Sequence, residues 1–272
     1  MPEVTVGDIG IHYETFGEGE TILLIAGLGA CAKVWFRQIP YLSRSYQVLA
    51  FDNRGAGASD KPDVPYSMGM LAADTVGLLD ALDIEKAHVY GVSMGGMIAQ
   101  ELALRHPERV TTIVLGGTTC GGDERILPST ETIALLFDPE RWERLAPDER
   151  TRGSLPFNLS QAFIEGNPDL IEEYVAMVAE NSPPPYAYAR QREAVITHNT
   201  CDRLPMISVP TLVISGSADR QVPVDNSTLL ASRIPGAELV ILEGMGHGFF
   251  IEAAEEASRA ILGFLARHKG QA

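Results

Sequence analysis

Short runs rich in Val, Ile and Leu recur along the chain, and most stop at a glycine: TILLIAGLG, YQVLAFDNRG, AHVYGVS, VTTIVLGG, PTLVISG and ELVILEG. An apolar run without polar alternation fits a strand covered on both faces, as inside a parallel sheet. Stretches with helical spacing lie between several of them, namely YSMGMLAADTVGLLDALDI, GGMIAQELALRHPERV, DNSTLLASRIP and AAEEASRAILGFLARH. This alternation predicts an α/β architecture, a mostly parallel central sheet with helices on both faces. The opening segments EVTVGD and GIHYETFGEG alternate more strongly and meet through Gly7 to Gly10. They predict an antiparallel hairpin at one edge.

From Thr118 to Val209 no strand-like run occurs, a span too long for a plain crossover. It predicts helices inserted before the penultimate strand, which divide the chain into a first core part at 1–117, a helical lid at 118–208 and a second core part at 209–272. STETIALLFDPERWERL, PDLIEEYVAMVAEN and PYAYARQREAVITH are its helical pieces. Most of its aromatic rings are expected to build its own core, because buried rings are the commoner fate. Candidate walls of an apolar pocket are Phe137 and Trp142 from this insertion, with Trp35 and Phe249 from the flanking parts.

At 272 residues and 45% hydrophobic, the chain can bury a large core. A net charge of -15 repels phosphate backbones and anionic membrane surfaces, so nucleic acid and membranes are not expected partners. The opening MPEVTVGDIGIHYE has neither a basic start nor a sustained apolar stretch, so a cytoplasmic protein is expected. Cys31, Cys120 and Cys201 are odd in number and far apart, and are expected to be reduced and buried. An exposed apolar face on the lid would support a homodimer.

The stretch YGVSMGG places Ser93 between Gly91 and Gly95. Gly-x-Ser-x-Gly alone is weak, arising by chance in about one such chain in ten, so its context decides. KAHVYG reads as a strand ending at Gly91, and MGGMIAQELALRH as a helix starting just after Ser93. On so tight a turn, side chains at the flanking positions would strike the neighbouring strand and helix. The result is a nucleophile elbow, which exposes the hydroxyl and sets the Met94 amide at a helix N-terminus. The bland alternative is a helix N-cap serine.

Serine needs a base to take its proton, and the base needs an acid to hold it. Of the six histidines, His247 sits among glycines in EGMGHGFFIE, after the last strand, where the ligand-binding rim of such a sheet lies. Asp219 in VISGSADRQVP follows the penultimate strand at the same rim. Its competitors are Asp123 and Glu124 after VLGGTTCGG, and Asp225, which reads better as a helix cap. GLGACAKVW, after TILLIA, would turn the Leu28 amide toward the serine as partner to Met94 in an oxyanion hole.

IAGLGACAKVW, FDNRGAGASD, GVSMGG, PTLVISGSADRQVP and EGMGHGFFIE together resemble the α/β-hydrolase superfamily over almost the whole chain. Within it the chain is similar to small lid-bearing esterases, 3-oxoadipate enol-lactonase-like enzymes, acyl-homoserine lactonases and cofactor-free haloperoxidases. The resemblance implies hydrolysis of a small ester or lactone by Ser93, Asp219 and His247, with no metal or organic cofactor. It implies a structural turn at DNRGAGASD, so that Asp52 and Arg54 are not catalytic. Haloalkane dehalogenases of similar layout carry aspartate at the nucleophile position, so Ser93 argues against carbon–halogen cleavage. Relatives usually have His-Gly where this chain has Ala26-Gly27, and the histidine that braces the oxyanion loop is therefore missing. The same triad also serves perhydrolysis, carbon–carbon hydrolysis and cyanohydrin cleavage, and some hydrolase-like receptors keep it only as a binding pocket.

Overall fold

The computed structural model describes residues 2–138 and 144–270, without the side chains of residues 135–137. Its strands are β1 (Glu3–Val6), β2 (Ile9–Phe16), β3 (Thr21–Ile25), β4 (Gln47–Phe51), β5 (Ala87–Val92), β6 (Val110–Gly116), β7 (Thr211–Gly216) and β8 (Glu238–Leu242). They form one sheet in the order β1-β2-β4-β3-β5-β6-β7-β8. The β1–β2 and β2–β4 pairs are antiparallel and all others parallel, so the expected edge hairpin and parallel body are both present. The helices are α1 (Ile39–Leu42), α2 (Met68–Ala81), α3 (Met94–Arg105), α4 (Thr130–Phe137), α5 (Pro147–Asn158), α6 (Gln161–Gly166), α7 (Pro168–Glu180), α8 (Pro185–Thr197), α9 (Asp225–Arg233), α10 (Phe249–Glu252) and α11 (Ala254–Ala266).

Strand β3 shows why its sequence lacks alternation. Leu23 and Ile25 pack with Leu71 and Leu78 of α2 and Ile98 and Leu102 of α3. Ile22 and Leu24 point the other way, into a layer with Ile261 and Phe264 of α11. Both faces of the strand are covered, so positions 22–25 are all apolar. At the outer edge β8 is covered less, and Leu239 and Ile241 stay 41% and 36% exposed. Among the described residues no helix is long and apolar enough to cross a membrane.

Helices α4 to α8 all lie between β6 and β7. Two of them, α5 and α6, were not expected from the sequence. The α5 segment PDERTRGSLPFN is polar and holds Pro156, so apolar periodicity does not reveal it. It is set instead by Pro147 in its first turn, by a Glu149 carboxylate that accepts the Ala146 amide at 2.9 Å, and by Leu155, which packs with Ile171 and Val175 of α7. Trp142 lies outside the described residues, as does the Phe137 side chain. Asp225 opens α9 rather than capping it, with Val224 in the cap position. The adjacent Asn226 holds the chain instead, accepting the Ile126 amide at 3.0 Å and donating to its carbonyl at 2.8 Å.

The two ends of this inserted stretch meet at a narrow neck. Gly121 pairs with Asn199, and the Thr200 amide donates to the Cys120 carbonyl at 2.8 Å. Cys120 and Cys201 are joined in a disulfide with their Cα atoms 5.0 Å apart, which corrects the expectation of three reduced cysteines; Cys31 alone is free. Nothing in the spacing of these two residues announces a bond, because the neck that unites them is a tertiary feature. His198 lies buried at this neck, and burial above all pushes its pKa down from 6.5 to about 4.

Two expectations follow from the neck. Cys201→Ser should lower stability by on the order of 2–4 kcal/mol, because the bond closes a loop of 81 residues. Calorimetry with and without reductant measures this, and equal Tm values in wild type and variant would speak against the bond. His198 stays neutral in the fold while the unfolded chain takes up a proton between pH 6.5 and about 4. Stability is therefore lost as pH falls through that window, by up to about 3 kcal/mol, and is unaffected by this group above it. Urea unfolding at pH 7.5 and pH 4.5 should show a smaller acid loss in His198→Asn than in wild type.

Candidate active site

Strand β5 ends in Val92, and α3 begins at Met94, leaving Ser93 alone to make the turn. Its φ is +57°, a left-handed conformation that costs a non-glycine residue on the order of 1–3 kcal/mol. A methyl group on Gly91 would overlap the Gly95 carbonyl oxygen, and one on Gly95 would overlap that of Ile25 in β3. Only glycine fits either position. The Ser93 amide donates to the Gly116 carbonyl at 2.8 Å, and its own carbonyl accepts the Thr118 hydroxyl at 2.7 Å. Ser93 stands at the cap position of α3 but makes no side-chain cap bond, which leaves its hydroxyl free.

Asp219 leaves the end of β7 and His247 the loop after β8. His247 Nδ1 donates to Asp219 Oδ2 at 2.7 Å, with the carboxylate side chain wholly buried. Oδ1 accepts the amides of Gln221 and Val222, each at 2.8 Å, so the carboxylate is held on both sides. With Nδ1 engaged, Nε2 is the imidazole edge left for chemistry. A methyl group on Gly117 would press against Asp219 Oδ2 at 3.2 Å and His247 Nδ1 at 3.4 Å. Residues 116–118 thus touch both the Ser93 backbone and the Asp219–His247 pair. Of the rival acids, Asp123 is exposed and Glu124 pairs with Arg233 at the surface.

In the loop after β3, Gly27 faces Ser93, where a methyl group would lie 3.3 Å from the serine Cβ. Among the described residues, the Leu28 and Met94 amides donate to no protein acceptor. The loop is tied from one side by β4-exit residues: Asn53 Nδ2 donates to the Ala26 carbonyl at 3.1 Å, and Asp52 Oδ1 accepts the Ala32 amide at 2.7 Å. Asp52 also meets His12 at 3.0 Å, a structural hub as expected.

Ser93, His247 and Leu28 line one cavity of about 580 Å³, within the size range of small-molecule sites. Trp35 is in its wall. Phe249 is not: its ring is fully buried beneath Gly116, among Ile261 and Phe264, and the adjacent Phe250 faces the cavity against Trp35 at 5.2 Å. Successive residues of a short helix point about 100° apart, so one faces the core and the next the cavity. Burial pushes the Tyr174 phenol up to about 12, and burial followed by Asp52 pushes the Cys31 thiol up to about 11; both line the cavity and stay neutral. Arg125 and Arg150 line it too, and no described carboxylate does. Thr118 and Phe250 escaped the sequence reading, since no motif marks them.

A family profile described as alpha/beta hydrolase fold matches residues 20–254. A protein of Azorhizobium caulinodans provisionally named as the carbamate hydrolase RutD is 34% identical, covering 97% of this chain and 98% of its own. A 2-hydroxy-6-oxononadienedioate/2-hydroxy-6-oxononatrienedioate hydrolase of Paraburkholderia xenovorans is also 34% identical, over 96% of this chain and 92% of its own. The crystal structure of the enol-lactonase from Burkholderia xenovorans LB400 superposes with a TM-score of 0.88 at 29% identity, covering 97% of this chain and 100% of that one.

Gly95→Ala tests the packing at the turn. With the added methyl group driven into the Ile25 carbonyl, the variant should lose on the order of 3 kcal/mol or more of stability. Chemical denaturation measures this, and a wild-type midpoint would show that α3 can move away from β3.

Proposed function

The chain belongs to the α/β-hydrolase family, and from that premise we propose that it is a serine hydrolase cleaving a carboxylic ester or lactone through an acyl-enzyme. His247 takes the Ser93 proton through Nε2 as Oγ attacks the carbonyl carbon. The Leu28 and Met94 amides hold the tetrahedral oxyanion, in a largely apolar cavity where such donors count for more than in water. Asp219 fixes the imidazole tautomer and stabilises its charged form. His247 then protonates the leaving alkoxide, and afterwards activates water to release the acid. Helices α4 to α8 act as a lid over the cavity. The observation that carries this reading is the 2.7 Å bond that His247 Nδ1 donates to Asp219, on an imidazole that shares the cavity with the free hydroxyl of Ser93.

A second reading keeps the three side chains and changes the bond. The Paraburkholderia relative's named substrate is a ketone without an ester, so its hydrolysis must break a carbon–carbon bond, and the Azorhizobium relative's name points to a carbamate. A panel of nitrophenyl esters, enol-lactones, homoserine lactones, carbamates and oxo-dienedioates separates these readings by kcat/KM. Ser93→Ala is expected to remain folded with a near-native Tm, and to lose turnover of the preferred substrate by about three to six orders of magnitude. Wild-type turnover in that variant would defeat the assignment.

A further inference from the structure

Leu28 lies in the loop that follows β3, directly after Ala26 and Gly27. The bonds from Asn53 and Asp52 hold the loop at Ala26 and Ala32, on either side of Leu28. Next to Leu28, the Gly29 amide donates to Oε1 of Gln191 at 2.9 Å. Gln191 lies on α8, within the inserted stretch, and its side chain has no solvent exposure. Its Nε2 donates to the Arg54 carbonyl at 2.7 Å. Arg54 is itself immobilised, since its guanidinium makes two hydrogen bonds to the buried carboxylate of Asp74 at 2.8 and 2.7 Å. One turn earlier on α8, the ring of Tyr188 packs so closely on Gly29 that a methyl group there would come within 2.9 Å of it.

We propose that Gln191 is the positioning residue of the oxyanion loop. It clamps the Gly29 amide to the rigid turn at Arg54, and thereby aims the Leu28 amide at the oxygen of the reacting carbonyl. A buried amide with both its ends bound to backbone is a specific use of a polar side chain, because either end left unpaired would be a desolvated polar group without a partner. Gln191 also makes the oxyanion hole depend on the inserted helices. A shift of α8 drags Gly29 with it, so the hole is complete only with the lid seated. The proposal rests on Ser93 acting as nucleophile with Leu28 as an oxyanion donor.

The test compares wild type, Gln191→Met and Ser93→Ala on p-nitrophenyl butyrate, and measures Ki for an aliphatic trifluoromethyl ketone, whose adduct with serine carries the same oxyanion. Gln191→Met fills the same space without the hydrogen bonds. It should lower kcat by about 10- to 100-fold, raise Ki by a similar factor and change KM by less than about threefold, because the misplaced amide matters only once the oxyanion forms. Gln191→Glu keeps an oxygen facing the Gly29 amide and should lie between the two, and it decides the matter alone if the methionine variant does not fold. Turnover that depends on Ser93 but keeps wild-type kcat and Ki in these variants overturns the role of Gln191 alone. Turnover that survives in Ser93→Ala overturns the underlying reading and this one with it.

Discussion

Backbone meets backbone where β5 turns into α3, and the whole ligand edge of the sheet is referenced to that contact. Gly91, Gly95 and the Ile25 carbonyl occupy a space in which no Cβ fits. The helix therefore sits a carbon atom closer to the sheet than any other residues would allow, and Ser93 is forced into a left-handed conformation between them. That strain of about 1–3 kcal/mol is larger than one backbone hydrogen bond, at about 1 kcal/mol, can offset. Packing holds the turn instead. Ile98 and Leu102 of α3 are fully buried, each contributing about 1.5–3 kcal/mol, so the helix cannot back away to relax the serine.

The same edge gathers the remaining groups without any direct sequence link between them. Residues 116–118 at the end of β6 carry the Ser93 backbone on one side and abut Asp219 and His247 on the other. A buried carboxylate is tolerated there because three donors meet it: the imidazole Nδ1 and the amides of Gln221 and Val222. Around them the cavity is lined by neutral or apolar groups, with its charged residues limited to two arginines among the described residues. The inserted helices close over this edge from a neck stapled by Cys120 and Cys201, a kind of bond favoured in oxidising compartments.

Much of this was legible in the sequence, for reasons that are physical rather than statistical. Parallel strands buried on both faces are mostly apolar, so β3 to β7 announce themselves, and the glycines around Ser93 mark a turn in which Gly91 abuts Gly95 and Gly95 abuts Ile25 of β3. Asp219 and His247 were legible because strand ends in such a sheet share one rim. What stayed hidden depends on contacts between distant segments. The disulfide needs the neck to bring together residues 81 apart. Gln191 gains its meaning only from Gly29, which lies 162 residues away. Phe249 and Phe250 are equivalent in composition, and only the phase of a four-residue helix decides which one faces the cavity. Helix α5 is polar along its length, so its existence rests on capping and on its packing against α7.

The central claim is that Ser93 is made nucleophilic by His247. Intact-mass and peptide analysis after treatment with a fluorophosphonate measures this without knowledge of the natural substrate. The account predicts a single phosphonyl adduct on the peptide containing Ser93, formed rapidly in wild type and slowed by orders of magnitude in His247→Ala. An adduct on another residue, or labelling of Ser93 at the same rate with and without the imidazole, would contradict it.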